Sequence, residues 1–288
     1  MREISAKQVT DAVRELAGRT NYELGDDVRQ RIHECRLAEI DHSVRNEDPG
    51  LAADILGMIE DNIEIAAKNH IPLCQDTGLA CVFADVGQDV HITDGLLSDA
   101  INEGVRQGYE QSYLRKSVVS DPLRRINTKD NTPARIIYDI VPGDKIKLTF
   151  APKGFGSENM SRIMMFPPAA GEKGVKAFIE ETVRMAGGNP CPPIVVGVGI
   201  GSTFDGVALL AKKALLLPLD GHNEDPYYAD MEKEMLERIN QLDIGPQGFG
   251  GRTTALAVRI LTAPTHIAGM PVAVNINCHV SRHAEVTL

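Results

Sequence analysis

The hydrophobic period of the chain changes at Pro72, and this limits the folds open to it. Before Pro72 the apolar residues recur every three or four positions, as one face of a helix requires. The strongest case is "PGLAADILGMIEDNIEIAAKNH". Leu51, Ile55, Met58, Ile59, Ala66 and Ala67 keep the helical period, and Lys68 and His70 suit the negative end of the helix dipole. "DDVRQRIHECRLAEI" begins with acids and lines up Val28, Ile32, Cys35 and Ala38 or Ile40. Ahead of both, Ser5 is placed to cap "AKQVTDAVRELAG" and Gly18 to end it.

After Pro72, short apolar runs alternate with helical stretches. "LACVFADVG" reads as a strand and "GLLSDAINEGVRQGYEQSYL" as an amphipathic helix. "ARIIYDIVPGDKIKLTFAP" reads as two strands joined at Pro142-Gly143-Asp144. "EKGVKAFIEETVRMAGGNP" predicts a helix stopped by Gly187-Gly188, and "PIVVGVGIG" a buried strand leading into the helix "STFDGVALLAKKALLLP". A polar helix over "DPYYADMEKEMLERINQLDIG" precedes two β-rich segments around Gly269. The expected fold is therefore mixed α/β, of the α+β kind: a helical part over residues 1–70, then a mixed sheet with flanking helices. No linker, low-complexity tract or repeat interrupts residues 1–288, which read as a single domain.

Composition narrows the partners. Hydrophobic residues make up 43% of the chain, but Trp is absent and aromatics are 5%, so the core must be aliphatic. The net charge of −10 argues against nucleic acid or an anionic membrane as partner. An acidic chain that takes an acidic ligand must gather its cations locally. The N-terminus lacks the apolar stretch of a secretory signal, and no run approaches the ~18 apolar residues of a membrane span. A cytoplasmic location is the expectation.

The five cysteines fall into two classes. Cys35 lies on a helix face and Cys81 alternates with Leu79 and Phe83 in a strand, so both are expected in the core. Cys74, Cys191 and Cys278 fall instead at loop–strand junctions, where functional groups tend to be displayed. Prolines on either side stiffen the Cys191 segment. Three distant thiolates suit a [4Fe–4S] cluster with one iron left open, since a full ligand set is four cysteines. Their spacing matches no short motif. A three-cysteine zinc site, or a cysteine nucleophile with His266, His279 or His283, stays open on spacing alone.

Two glycine-rich turns, "KGFGS" and "QGFGG", echo each other, and each is expected to lead into a helix whose backbone N–H groups can face an anion. Arg115, Lys116, Arg124, Arg125 and Lys129 reverse the sign of the chain locally and read as a carboxylate-binding wall. Asp76 follows two residues after Cys74 and would be carried close to anything that Cys74 ligates. His266 lies between a proline and a glycine, off any helical face.

Taken together, "CQDTG", "LRKSVVSDPLxRxNTxDNTPA", "KGFGSENMS", "NPCPPIVVGVGIG", "GPQGFGGRTTAL" and "THIAGMPVAVNINCHxxRHA" resemble the α subunit of class I fumarate hydratase from about residue 50 onward. The related α subunit of L(+)-tartrate dehydratase shares the architecture, and the "CHxxRHA" ending is nearer the fumarase side. The resemblance implies a [4Fe–4S] hydro-lyase that hydrates fumarate to L-malate reversibly. Cys74, Cys191 and Cys278 would be the cluster ligands, and Asp76 would have an acid/base or orienting role. Gln75, Arg115, Gly156 and His266 would meet the dicarboxylate. The chain would be the cluster-binding lobe, with a separate β subunit as partner in a hetero-oligomer. One departure is Phe155, where the family often has a third glycine. The alternatives are a tartrate dehydratase α subunit or, in another class, a non-catalytic iron–sulfur or zinc regulatory protein.

Overall fold

The computed structural model describes residues 2–46 and 49–288. In chain order its elements begin with β1 (Arg2–Ser5), α1 (Ala6–Tyr22), α2 (Asp26–Asn46), α3 (Leu51–Asn69), β2 (Leu79–Gly87) and β3 (Val90–Thr93). Next come α4 (Leu97–Gln111), β4 (Arg135–Val141), β5 (Ile146–Lys153), α5 (Phe155–Glu158), β6 (Arg162–Phe166) and α6 (Gly171–Ala186). The chain closes with β7 (Ile194–Gly201), α7 (Phe204–Ala214), α8 (Pro226–Asn240), β8 (Ala255–Ala263), β9 (Met270–Asn277) and β10 (Ala284–Thr287). This is the mixed helix-and-sheet class read from the sequence.

Two compact units emerge, each discontinuous in sequence. The first comprises Met1–Leu24, Asn62–Phe155 and Arg282–Leu288; the second comprises Gly25–Asp61 and Gly156–Ser281.

In the first unit a four-stranded sheet runs in the order β10-β5-β2-β4. β2 pairs parallel with β4 and antiparallel with β5, so the strands on either side of Pro142-Gly143-Asp144 flank β2 instead of pairing with each other. Helices α1 and α4 cover one face. Val9, Val13, Ile101 and Val105 pack with Val82, Ile146, Leu148 and Phe150, which are buried almost completely. Ser5 starts α1 as its sequence predicts: its Oγ accepts the N–H of Gln8, and Gln8 Oε1 accepts the N–H of Ser5 at 2.9 Å. Gly18 does not end the helix. A Cβ at Gly18 would stand 2.8 Å from Ser112 Oγ, so the glycine permits close packing in mid-helix. The strand β1 pairs parallel with β3, a contact between residues 2–5 and 90–93.

The second unit has a sheet in the order β6-β9-β7-β8 with helices on both faces. "PIVVGVGIG" shows why. Ile194, Val196 and Val198 join Phe178, Ile179, Met235 and Ile239 of α6 and α8 in one largely aliphatic core. Each such fully buried side chain contributes about 1.5–3 kcal/mol. The alternate residues are glycines. A Cβ on Gly197 would lie 2.3 Å from Ala211 O, and one on Gly199 2.4 Å from Val207 O. The bare face of β7 therefore lets α7 lie against it. Gly187, with φ 53°, stops α6 as expected.

Candidate active site

Strand direction decides which loops meet. In the first unit Leu79 pairs with Lys153, Cys81 with Arg135, and Ala284 with Phe150. The segments 74–78, 115–134, 154–155 and 282–283 therefore open at one end of that sheet. This end carries Cys74, Gln75, Asp76 and Arg115.

The Cys74 turn is fastened at every step. Leu73 is buried, with its N–H on Asn21 O at 2.9 Å and its carbonyl accepting Asn62 Nδ2 at 3.0 Å. The Asp76 N–H points at Cys74 Sγ, 3.4 Å away, and Gln75 stands exposed beside it. The Asp76 carboxylate is held by two backbone donors, Phe155 N–H on Oδ2 at 2.9 Å and Gly78 N–H on Oδ1 at 3.1 Å. Three successive carbonyls of the turn receive side-chain donors. Asp76 O accepts Arg282 Nη2 at 2.6 Å, Thr77 O accepts Tyr109 Oη at 2.7 Å, and Gly78 O accepts Asn131 Nδ2 at 3.2 Å. Gly78 itself has φ +78°, and a Cβ there would stand 2.8 Å from Lys153 N, so only glycine fits the turn.

Arg115 is bound to the same turn through its backbone, since Thr77 Oγ1 donates to Arg115 O at 2.9 Å. Buried Asn131 fixes the loop that follows, with Oδ1 accepting the N–H groups of Ser117 and Val118 at 2.7 and 3.2 Å. Of the five basic residues in this segment, Lys116 pairs with Glu110. Arg115, Arg124, Arg125 and Lys129 have no ion-pair partner among the described residues.

The second unit repeats the arrangement. Val195 pairs with Asn277, Ile194 with Ala255, and Arg162 with Val274. Segments 156–161, 187–193, 245–254 and 278–281 therefore open at one end of its sheet, with Gly156, Cys191 and Cys278. Cys191 has φ 55°, and its carbonyl accepts His279 Nδ1 at 3.0 Å, which ties the Cys191 loop to the residue after Cys278. Pro192 O takes two donors from Gln247, the backbone N–H and Nε2, each at 2.8 Å. A Cβ on Gly156 would lie 3.7 Å from Asn189 O, so Gly156 borders the Cys191 loop.

His266 lies elsewhere. It occupies the link between β8 and β9, at the opposite end of this sheet from Cys191 and Cys278, and it is exposed. The eight residues of β9 separate the two ends by roughly 25 Å at the usual rise of a strand.

Of the two glycine-rich turns, one leads into a helix as expected and the other does not. "KGFGS" starts a helix of four residues, and its Phe155 N–H is already taken by Asp76. "QGFGG" leads into strand β8, because Ala255 must pair with Ile194.

All five cysteines are thiols outside any disulfide. Cys35 and Cys81 are buried as expected, and burial pushes the Cys35 thiol upward from its usual range. Cys74, Cys191 and Cys278 are part-exposed or exposed. Among the described residues no three His, Cys, Asp or Glu are gathered as a single metal ion needs. That grouping does not test an iron–sulfur cube, which holds its cysteines further apart than one ion does. The donors suit such a cube in kind: Cys74, Cys191 and Cys278 are accessible thiols, and Cys74 Sγ accepts the Asp76 N–H. Sequence reasoning missed Tyr109, Asn131, Gln247 and Arg282 as supports. Asn131, Gln247 and Arg282 lie inside the resembling motifs, whereas no motif marks Tyr109.

A family model described as "Fumarate hydratase (Fumerase)" matches residues 10–287. The chain is similar to a Methanocaldococcus jannaschii protein named "Putative L(+)-tartrate dehydratase subunit alpha", with 39% identity over 283 residues and 96% of each chain covered. It is also similar to the L(+)-tartrate dehydratase subunit alpha of Escherichia coli (strain K12) and that of Shigella sonnei. Each is 28% identical over 295 residues, covering 98% of this chain and 93% of the relative.

Proposed function

The chain belongs to the fumarate hydratase (Fumerase) family and is a hydro-lyase, and from that premise we propose that it is the α subunit of a [4Fe–4S] enzyme that adds water to fumarate to give L-malate. Cys74, Cys191 and Cys278 would hold the cluster. When bound, the cluster supplies an open iron as a Lewis acid for an oxygen ligand. Membership of a hydro-lyase family sets aside the regulatory-protein alternative.

The observation that carries the substrate reading is that Asp76 and Arg115 stand at one sheet end, where Thr77 Oγ1 donates to the Arg115 carbonyl. Hydration breaks one O–H bond of water, puts hydroxyl on one alkene carbon and a proton on its neighbour. The reverse reaction removes that proton from a carbon next to a carboxylate, which needs a base within hydrogen-bond reach. Asp76 is held by Phe155 and Gly78, and its remaining lone pairs can take or return this proton. Arg115 presents a planar fork to a substrate carboxylate and fixes the reacting carbon against Asp76. Gln75 offers an amide to a substrate oxygen, and Gly156 an N–H. His266 would line the pocket from the other end of its sheet. The partner is a β subunit, in keeping with the "subunit alpha" in the relatives' names.

A second reading, dehydration of L(+)-tartrate, is favoured by the relatives' names. Tartrate differs from malate by one hydroxyl, so the same carboxylate contacts serve both. The chain and its β partner, purified together without oxygen, should turn over fumarate and malate faster than tartrate. A brown, paired protein that acts on none of the three overturns the proposal, and tartrate preferred over malate selects the second reading.

A further inference from the structure

Arg282 is 4% exposed, yet no carboxylate stands within ion-pair distance of it among the described residues. One donor, Nη2, holds the carbonyl of Asp76 at 2.6 Å, and another, Nε, is buried without a hydrogen-bond partner. A buried charge without a counter-charge is among the costliest features a fold can carry. The carboxylate of Asp76, the residue whose carbonyl Arg282 holds, is turned onto the N–H groups of Phe155 and Gly78. The same Asp76 residue also gives its N–H to Cys74 Sγ, so Arg282 and the sulfur are bridged by one amino acid.

We propose that Arg282 is a positioning residue of the site. Its cation is the fixed counter-charge for the anionic group built at the Cys74–Asp76 turn, and its Nη2 holds that turn in place. The anions in question are a thiolate-ligated cluster and a dicarboxylate, so this inference rests on the function proposed above. Arg282 does not touch substrate. It acts through Asp76 and through its field, which is strong where water is excluded.

Two variants separate the roles. Arg282→Gln keeps a donor for Asp76 O and drops the charge, whereas Arg282→Lys keeps the charge and loses the fork. Each is made in the full chain with its β partner and checked by circular dichroism. The readouts are the midpoint reduction potential of the bound cluster and KM for malate. Removing a nearby positive charge makes the cluster harder to reduce. Arg282→Gln should therefore show a more negative potential and a KM raised on the order of tenfold, and Arg282→Lys should stay close to wild type in both. If both variants match wild type, or both shift alike, the inference fails. Should Arg282→Gln not fold, Arg282→Lys decides alone: an unchanged potential supports the inference and a more negative one overturns it. A wild-type complex without a cluster would instead overturn the function on which the inference rests.

Discussion

Asp76→Asn separates chemistry from architecture in a single atom. The carboxylate now accepts two backbone N–H groups, from Phe155 at 2.9 Å and Gly78 at 3.1 Å. An amide has only one acceptor oxygen. In either orientation one of these N–H groups faces an NH₂, and the bond that remains loses its charge assistance. The cost is about 2–3 kcal/mol of stability, which corresponds to a thermal midpoint lower by about 3–5 °C for a chain of this size. Cys74 still receives the Asp76 N–H, and the turn's three carbonyls keep Arg282, Tyr109 and Asn131. Cluster binding should therefore survive. Catalysis should not, because an amide cannot take the carbon-bound proton, and loss of a general base lowers kcat by about 10²–10⁴. The assay is anaerobic malate dehydration by the α–β complex, with iron content and visible absorbance measured on the same sample. A kcat within about tenfold of wild type refutes the acid/base role, and loss of the cluster makes Asp76 structural.

Arg115→Met should raise KM for the dicarboxylate by about 10²-fold, since a charge-assisted bidentate contact is lost, while the midpoint of unfolding moves little because the side chain is exposed. Tyr109 is buried, and burial raises its phenol well above the usual value near 10. The folded protein keeps the phenol neutral where the unfolded chain ionises, so this contribution is complete below about pH 10 and is lost as pH rises further. Tyr109→Phe should lower stability near neutral pH by about 1–2 kcal/mol but flatten the fall above pH ~10, as followed by urea unfolding. Cys35→Ser and Cys81→Ser should destabilise by about 1–3 kcal/mol through burial of a hydroxyl, with iron content unchanged.

The sequence revealed the elements that are set locally. Ser5 with Gln8 makes a capping box within one turn, and Gly187 ends α6 through its own backbone. The division of the cysteines was legible too, because Cys35 and Cys81 sit in continuing apolar patterns and the other three do not. What depends on distant partners was not legible. β1 is four residues that become a strand only beside Val90–Thr93, and β10 only beside β5. Gly18 looks like a stop until Ser112 packs against it. "QGFGG" has the residues of a helix entry, but parallel pairing with β7 draws the following segment into β8. Arg282 and Asn131 carry no periodic signal. Their importance lies in the carbonyls and N–H groups they reach, more than fifty residues away along the chain for Gly78 and more than two hundred for Asp76. His266 was grouped with the site by motif alone, and strand direction puts it at the other end of its sheet from Cys191 and Cys278.

The central claim is that three particular thiols serve one cluster. Its most direct test is to load the anaerobic α–β complex with iron and sulfide and measure iron per chain and visible absorbance for each single cysteine-to-serine variant. The account predicts that Cys74→Ser, Cys191→Ser and Cys278→Ser each lose the cluster, while Cys35→Ser and Cys81→Ser retain it in full. A wild-type cluster spectrum in any of the first three, or its loss in either of the last two with the fold intact, would contradict it.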